Sequence, residues 1–152
     1  MTEKETPESK EPVTLREVPE LREIQVRDNI VLRQLKAEDG PRIVEILDAD
    51  PTIRDRVSVA AKIHTPEDVA LEVLNYQGDP HLIRYALTEG DEVIGLMSLW
   101  RDVDSPFDAP DNPDDYGFGY FIDPAARGKG IVTDALGNLL ETADTALNPR
   151  QF

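Results

Sequence analysis

Apolar positions recur along this chain with two periods, close to two and close to 3.6 residues, and the switches between them mark the predicted elements. Residues 29–35 (NIVLRQL) predict a first strand, and residues 38–49 a helix with Ile43, Val44, Ile46 and Leu47 on one face, closed by Asp50-Pro51. Thr65-Pro66-Glu67-Asp68 is a helix start: a threonine N-cap, proline at the first helical position and acids in the first turn. Val69, Ala70, Val73 and Leu74 then make an apolar stripe that runs to Tyr76. Residues 82–88 and 92–100 are two apolar, strand-like runs joined through Glu89-Gly90-Asp91, which predicts a hairpin. Residues 117–122 are aromatic and β-branched, and Asp123-Pro124 stops them because proline cannot donate to a sheet ladder. From Ile131 onward, Ile131, Ala135, Leu136, Leu139, Leu140 and Ala143 return at helical spacing, with Thr133, Asp134, Asn138, Glu141 and Asp144 filling the opposite face.

The junction between that last strand and helix carries the strongest chemical signal. Arg127-Gly128-Lys129-Gly130 gives a backbone free to adopt positive φ, so successive N–H groups can converge where the first donors of a helix lack partners. Two cations and the helix dipole suit such a turn to an anion, with phosphate as the natural ligand. Two common phosphate motifs do not fit. A Walker loop needs a hydroxyl residue after its lysine, but Gly130 and Ile131 follow Lys129. A dinucleotide fingerprint begun at Gly117-Phe118-Gly119 would place its third glycine at Ile122, inside the strand.

The segment DPAARGKGIVTDAL resembles motif A of the GCN5-related N-acetyltransferases, which reads Arg or Gln, two residues, Gly, one residue, then Gly or Ala. Arg127, Gly128, Lys129, Gly130, Ile131 and Val132 occupy those positions, with Val132 departing from the small residue of the strict pattern. The surrounding sequence is most similar to the branch that acetylates ribosomal-protein N-termini on alanine or serine. The resemblance spans residues 27–152 and implies an α/β (α+β) fold, a mixed, mostly antiparallel sheet flanked by helices in the order β-α-α-β-β-β-α. It implies that the amides of the turn hold the pyrophosphate of acetyl-CoA and that the preceding strand, at Phe121 and Ile122, pairs with the pantetheine arm. In many members a glutamate two residues before the strand's central glycine removes the proton of the amine. Gly117 stands there, so the nearest substitutes are Asp115 and Tyr116, and Asp115 is the chosen base. Measured against the family, the sequence stops at the entry to a fifth strand, and the remaining strands, the last helix and a tyrosine often used as thiol acid are absent. An incomplete reading of a longer gene and a short protein with lost catalysis both account for this. The resulting open sheet edge offers a route to a homodimer.

Composition narrows the partners. The 31 acids against 16 lysines and arginines give a net charge of −15, which argues against nucleic acid because such binding needs a cationic footprint. That charge fits either cationic acceptors such as amines or simple solubility. It also repels a polyanionic cofactor at long range, but screening beyond about 8 Å leaves Arg127, Lys129 and the helix N-terminus in control of the turn. No apolar run approaches the ~20 residues of a membrane span and no signal-peptide core opens the chain, so a cytoplasmic protein is expected. Cysteine is absent, which excludes disulfides, thiolate metal sites and a cysteine acyl-enzyme; transfer must be direct.

Two segments differ from the rest. Residues 1–26 mix acids, lysines and three prolines and read mostly as a disordered tail, although Val13, Leu15, Val18, Leu21 and Ile24 offer a way to dock part of it. Residues 102–115 hold six aspartates and three prolines without a base. They lack the spacing, central glycine and closing glutamate of a calcium loop, so no metal is expected; they read as a solvated loop or as a lure for an amine. His64 and His81, beside turn signals, read as surface or capping residues, and Asp123 as a structural strand end.

Overall fold

The computed structural model describes residues 15–101 and 116–147. Five strands form one antiparallel sheet in the order β1-β2-β3-β4-β5: β1 Glu23–Arg27, β2 Ile30–Gln34, β3 Leu82–Glu89, β4 Glu92–Arg101 and β5 Tyr116–Ile122. Each strand pairs with its chain neighbour, although 47 residues that include α2 to α5 lie between β2 and β3. The helices are α1 Pro19–Arg22, α2 Gly40–Ala49, α3 Ile53–Arg56, α4 Ser58–Ala61, α5 Pro66–Gln77 and α6 Ile131–Leu147. Mixed helices around a mainly antiparallel sheet are the fold expected from the sequence, with β1 and three short helices added to it.

Register sorts the side chains between the two faces. Ala86, Leu96 and Phe121 lie in one cross-strand row, next to the row Arg84, Ser98 and Gly119 and the row Leu82, Trp100 and Gly117. Helix α5 covers this face, since its Glu72 reaches Arg84. Tyr85 and Met97 point to the other face, where Tyr85 donates its hydroxyl to the carbonyl of Leu21 in α1, and α6 packs against both α1 and β1. Burial pushes the Tyr85 hydroxyl well above its ordinary pKa, so it remains a donor throughout the working range.

The expected tail is corrected at residues 15–26. Leu15 and Leu21 are fully buried and Ile24 nearly so; the Leu15 N–H donates to the carbonyl of Pro80 at 2.9 Å, and β1 adds an edge to β2. Three apolar side chains and a strand ladder outweigh the polar composition that suggested disorder. The turn into β2 needs Asp28 at φ 45°, a conformation aspartate tolerates better than most residues, and Gln25 Nε2 donates to its carbonyl at 2.7 Å. Residues 1–14 lie outside the described residues.

Helix α5 begins with the cap read from the sequence. The Asp68 N–H donates to Thr65 Oγ1 at 3.3 Å, and Asp68 Oδ2 accepts from the N–H groups of His64 and Thr65 at 2.8 and 3.0 Å. Those backbone donors hold the Asp68 carboxyl below the usual carboxylate range, so the stabilisation is complete above the ordinary aspartate pKa and fades as pH falls through the lowered value. Thr65→Ala should cost about 1 kcal/mol in chemical denaturation, and Asp68→Asn should remove the acid-side dependence while leaving the neutral-pH cap partly formed.

Candidate functional site

The turn between β5 and α6 is built by local rules. Asp123 accepts from the Ala125 N–H at 3.1 Å and pairs with Arg42 of α2, so the end of the strand is fixed to the helical layer. Pro124–Ala126 make one 3-10 turn, and the chain then passes through Gly128 at φ 81° and Gly130 at φ 72°, values that favour glycine. Helix α6 closes its first bond from the Asp134 N–H to the Gly130 carbonyl at 3.1 Å. The N–H groups of Ile131, Val132 and Thr133 therefore have no acceptor within the helix and sit at its positive end. A cleft of about 410 Å³ opens on them, walled by Ile53, Arg56 and Val57 from the α3 side.

Strand β5 forms an edge of the sheet among the described residues. The Asp123 N–H donates to the Ile94 carbonyl at 2.7 Å, and alternation from that bond turns the backbone groups of Phe121 and Gly119 towards β4. Phe118, Tyr120 and Ile122 consequently direct their N–H and C=O groups away from the sheet. A second cleft of about 790 Å³ continues past Tyr120 and shares Arg56, Val57 and Tyr120 with the first. Together they make a channel from the glycine turn, along the open strand edge, to a polar surface at Gly119.

That surface is the row Arg84, Ser98 and Gly119. Arg84 Nη1 donates to Ser98 Oγ at 2.7 Å, while Nη2 lies 3.3 Å from Glu72 Oε1. Burial lowers the Arg84 pKa, and the negative charges of Glu72 and Asp79 oppose that shift. Among the described residues Arg84 Nε, Glu72 Oε1 and His81 Nδ1 are buried without a hydrogen-bond partner. A Cβ on Gly117 would overlap the indole of Trp100, its cross-strand partner, so the place of the usual glutamate is filled by an aromatic ring.

The sequence-derived site residues fall around this channel in different ways. Gly128, Gly130, Ile131 and Val132 line the smaller cleft; Ile131 is buried, so its backbone rather than its side chain faces a ligand. Phe121 and Ile122 bury their side chains in the core; Ile122 turns its backbone groups to the open edge, whereas those of Phe121 face β4, so the expected pairing with a pantetheine arm is corrected to Ile122 alone of the two. Arg127 lines the cleft, but its Nη2 is paired with Asp50 Oδ2 at 2.8 Å, a contact between residues far apart in the chain that no local pattern signals. The Thr52 hydroxyl and then Arg127 hold the Asp50 carboxyl below its ordinary range. Lys129 is exposed and, among the described residues, has no ion-pair partner. Asp115 lies outside the described residues. Sequence reasoning overlooked Glu72 and Arg84, although a signal existed: Glu72 falls on the buried stripe with Val69, Val73 and Tyr76, where an unpaired acid has no place.

The family model of the acetyltransferase (GNAT) domain matches residues 29–151. No curated protein matches the sequence. Among solved structures, the microcin C7 self-immunity acetyltransferase MccE, in complex with acetyl-CoA and AMP, aligns at TM-score 0.61 and 16% identity, over 78% of this chain and 64% of that one. The acetyltransferase that modifies the N-terminal serine of ribosomal protein L7/L12 in Salmonella typhimurium aligns at TM-score 0.61 and 18% identity, over 80% and 67%. The ribosomal-protein-S5-alanine acetyltransferase of Vibrio fischeri aligns at TM-score 0.60 and 18% identity, over 82% and 69%. At these identities the likeness establishes a shared fold, and this chain spans about two thirds of the length of each neighbour.

Proposed function

The chain belongs to the acetyltransferase (GNAT) domain family, and from that premise we propose that it moves an acetyl group from acetyl-CoA to an amine, either a peptide or protein N-terminus or a small molecule. The observation that carries the reading is the pair of adjoining clefts that make up this channel. Its glycine turn and helix N-terminus suit a pyrophosphate, its open β5 edge suits the amides of a pantetheine arm, and its far surface suits an acceptor. The amine loses a proton, its nitrogen attacks the thioester carbonyl carbon, the C–S bond breaks, and the thiolate leaves to be protonated. An N–H directed outward from β5 meets the oxyanion.

Asp115 is the proton acceptor in this proposal, supported by its place in sequence two residues ahead of Gly117, where Trp100 leaves no room for a side chain. One neighbour modifies the N-terminal serine of a ribosomal protein and another is named for an alanine of ribosomal protein S5, and short α-amines of that kind are the first acceptors to try. A cytoplasmic setting is part of the same proposal. Among the described residues no helix is long and apolar enough to cross a membrane.

A second reading, a module that binds acyl-CoA without turnover, is favoured by the indole that occupies the base position. Calorimetry with CoA, together with a free-thiol assay on acetyl-CoA and peptides beginning with serine or alanine, separates the two. Expected are binding and amine-dependent thiol release, with Asp115→Asn losing release but keeping binding. Binding without release selects the module, and absence of binding sinks both readings.

A further inference from the structure

Arg27 stands at the end of β1, outside the residues matched by the family model, yet its side chain reaches the glycine turn. Its Nη2 donates to the Lys129 carbonyl at 2.6 Å, and its Nη1 donates to Asp134 Oδ2 at 2.7 Å. The guanidinium is a planar fork with fixed spacing, so the two bonds join the turn and the first turn of α6 in one geometry. The two partners lie 102 and 107 residues further along the chain, so the contact serves the turn and not the local structure of β1.

Each bond has a consequence for an anion. The peptide between Lys129 and Gly130 is planar and trans, so its N–H points opposite to its carbonyl. Holding the Lys129 carbonyl on the Arg27 side directs the Gly130 N–H away from Arg27, on the side of the turn where a ligand approaches. Without that hold the peptide is free to rotate about the Lys129 ψ and the Gly130 φ, the latter at 72° in a residue with no Cβ, and to present its carbonyl to the anion instead. The second bond acts on charge. Asp134 is the acid in the first turn of α6, where it suits the helix dipole but repels a phosphate at the same N-terminus. Arg27 pairs that charge, and a Cβ on Gly130 would lie only 3.9 Å from Arg27 Nη1.

We infer that Arg27 is a positioning residue for cofactor binding: it fixes the Lys129–Gly130 peptide with its N–H towards the pyrophosphate and neutralises Asp134 beside it. The inference rests on the acetyl-CoA reading of the channel, and the experiment keeps the two apart. Calorimetry would compare CoA with pantetheine, which lacks the pyrophosphate and nucleotide, for the unchanged chain, Arg27→Ala and Arg27→Lys. The expected result is a loss of about ten- to a hundredfold in CoA affinity for Arg27→Ala, the scale of one charge-assisted hydrogen bond, with pantetheine affinity unchanged. Arg27→Lys, which keeps the charge and one donor, should recover part of the loss. A purely structural role for Arg27 would weaken both ligands equally and lower the melting temperature of the unliganded chain, and that result overturns the inference. So does an Arg27→Ala protein that binds CoA as tightly as the unchanged chain. If the unchanged chain itself shows no preference for CoA over pantetheine, the pyrophosphate assignment of the turn fails first.

Discussion

Gly130→Asp is expected to raise the dissociation constant for CoA at least about a hundredfold while the chain still folds. Gly130 lies at φ 72°, which aspartate tolerates better than most residues, and a Cβ there would find only Arg27 within 4 Å. The structural cost is therefore small. The carboxylate would stand beside Arg27 at the N-terminus of α6, where its charge repels a pyrophosphate. Two unit charges about 4 Å apart interact by roughly 4 kcal/mol near a protein surface, more than enough for the expected loss. Gly130→Ala supplies the control, since it adds the backbone strain without the charge and should weaken binding by about tenfold or less. Calorimetry on both variants reads the difference, and an unchanged dissociation constant in Gly130→Asp would refute the assignment of the turn.

The second large effect concerns stability. Glu72 and Arg84 are nearly buried between α5 and β3 with an ion pair at 3.3 Å, and burial already disfavours the charged form of Arg84. Removing one partner leaves the other charged, buried and unmatched, so Glu72→Ala should lower the unfolding free energy by about 3 kcal/mol or more. Replacing both, as Glu72→Leu with Arg84→Met, should return stability close to that of the unchanged chain, because the desolvation cost disappears together with the attraction. Denaturant unfolding of Glu72→Leu, Arg84→Met and the double variant tests this. A near-additive cycle would show that the pair is not coupled. Arg84 also lines the larger cleft, so the stable double variant can then be assayed for acceptor turnover apart from any folding defect.

Periodicity made the middle of the fold legible. Helices α2 and α5 and strands β2 to β5 begin and end, and helix α6 begins, within about two residues of where the apolar pattern, Thr65, Asp123-Pro124 and Gly130 place them, while α6 runs on to Leu147, past the last apolar position read at Ala143. Residues 15–27 were not legible in that way. Their elements are three to five residues long, and the partners that order them, Pro80 and Tyr85, are distant in sequence. The candidate site divides along the same line. Whatever depends on local backbone, the glycine turn and the helix start, follows from the residues themselves. The salt bridge of Arg127 to Asp50, the reach of Arg27 and the overlap of Trp100 with Gly117 depend on register and on contacts across the fold. No window of sequence contains both partners.

Trp100 is the chain's single tryptophan, and its ring is half exposed against Gly117 and Gly119 in the larger cleft. All indole fluorescence therefore arises at one known point, beside the surface assigned to the acceptor. Emission from the unlabelled protein reports on solvent access to that surface, and quenching by acrylamide can follow its occupancy separately from that of the glycine turn.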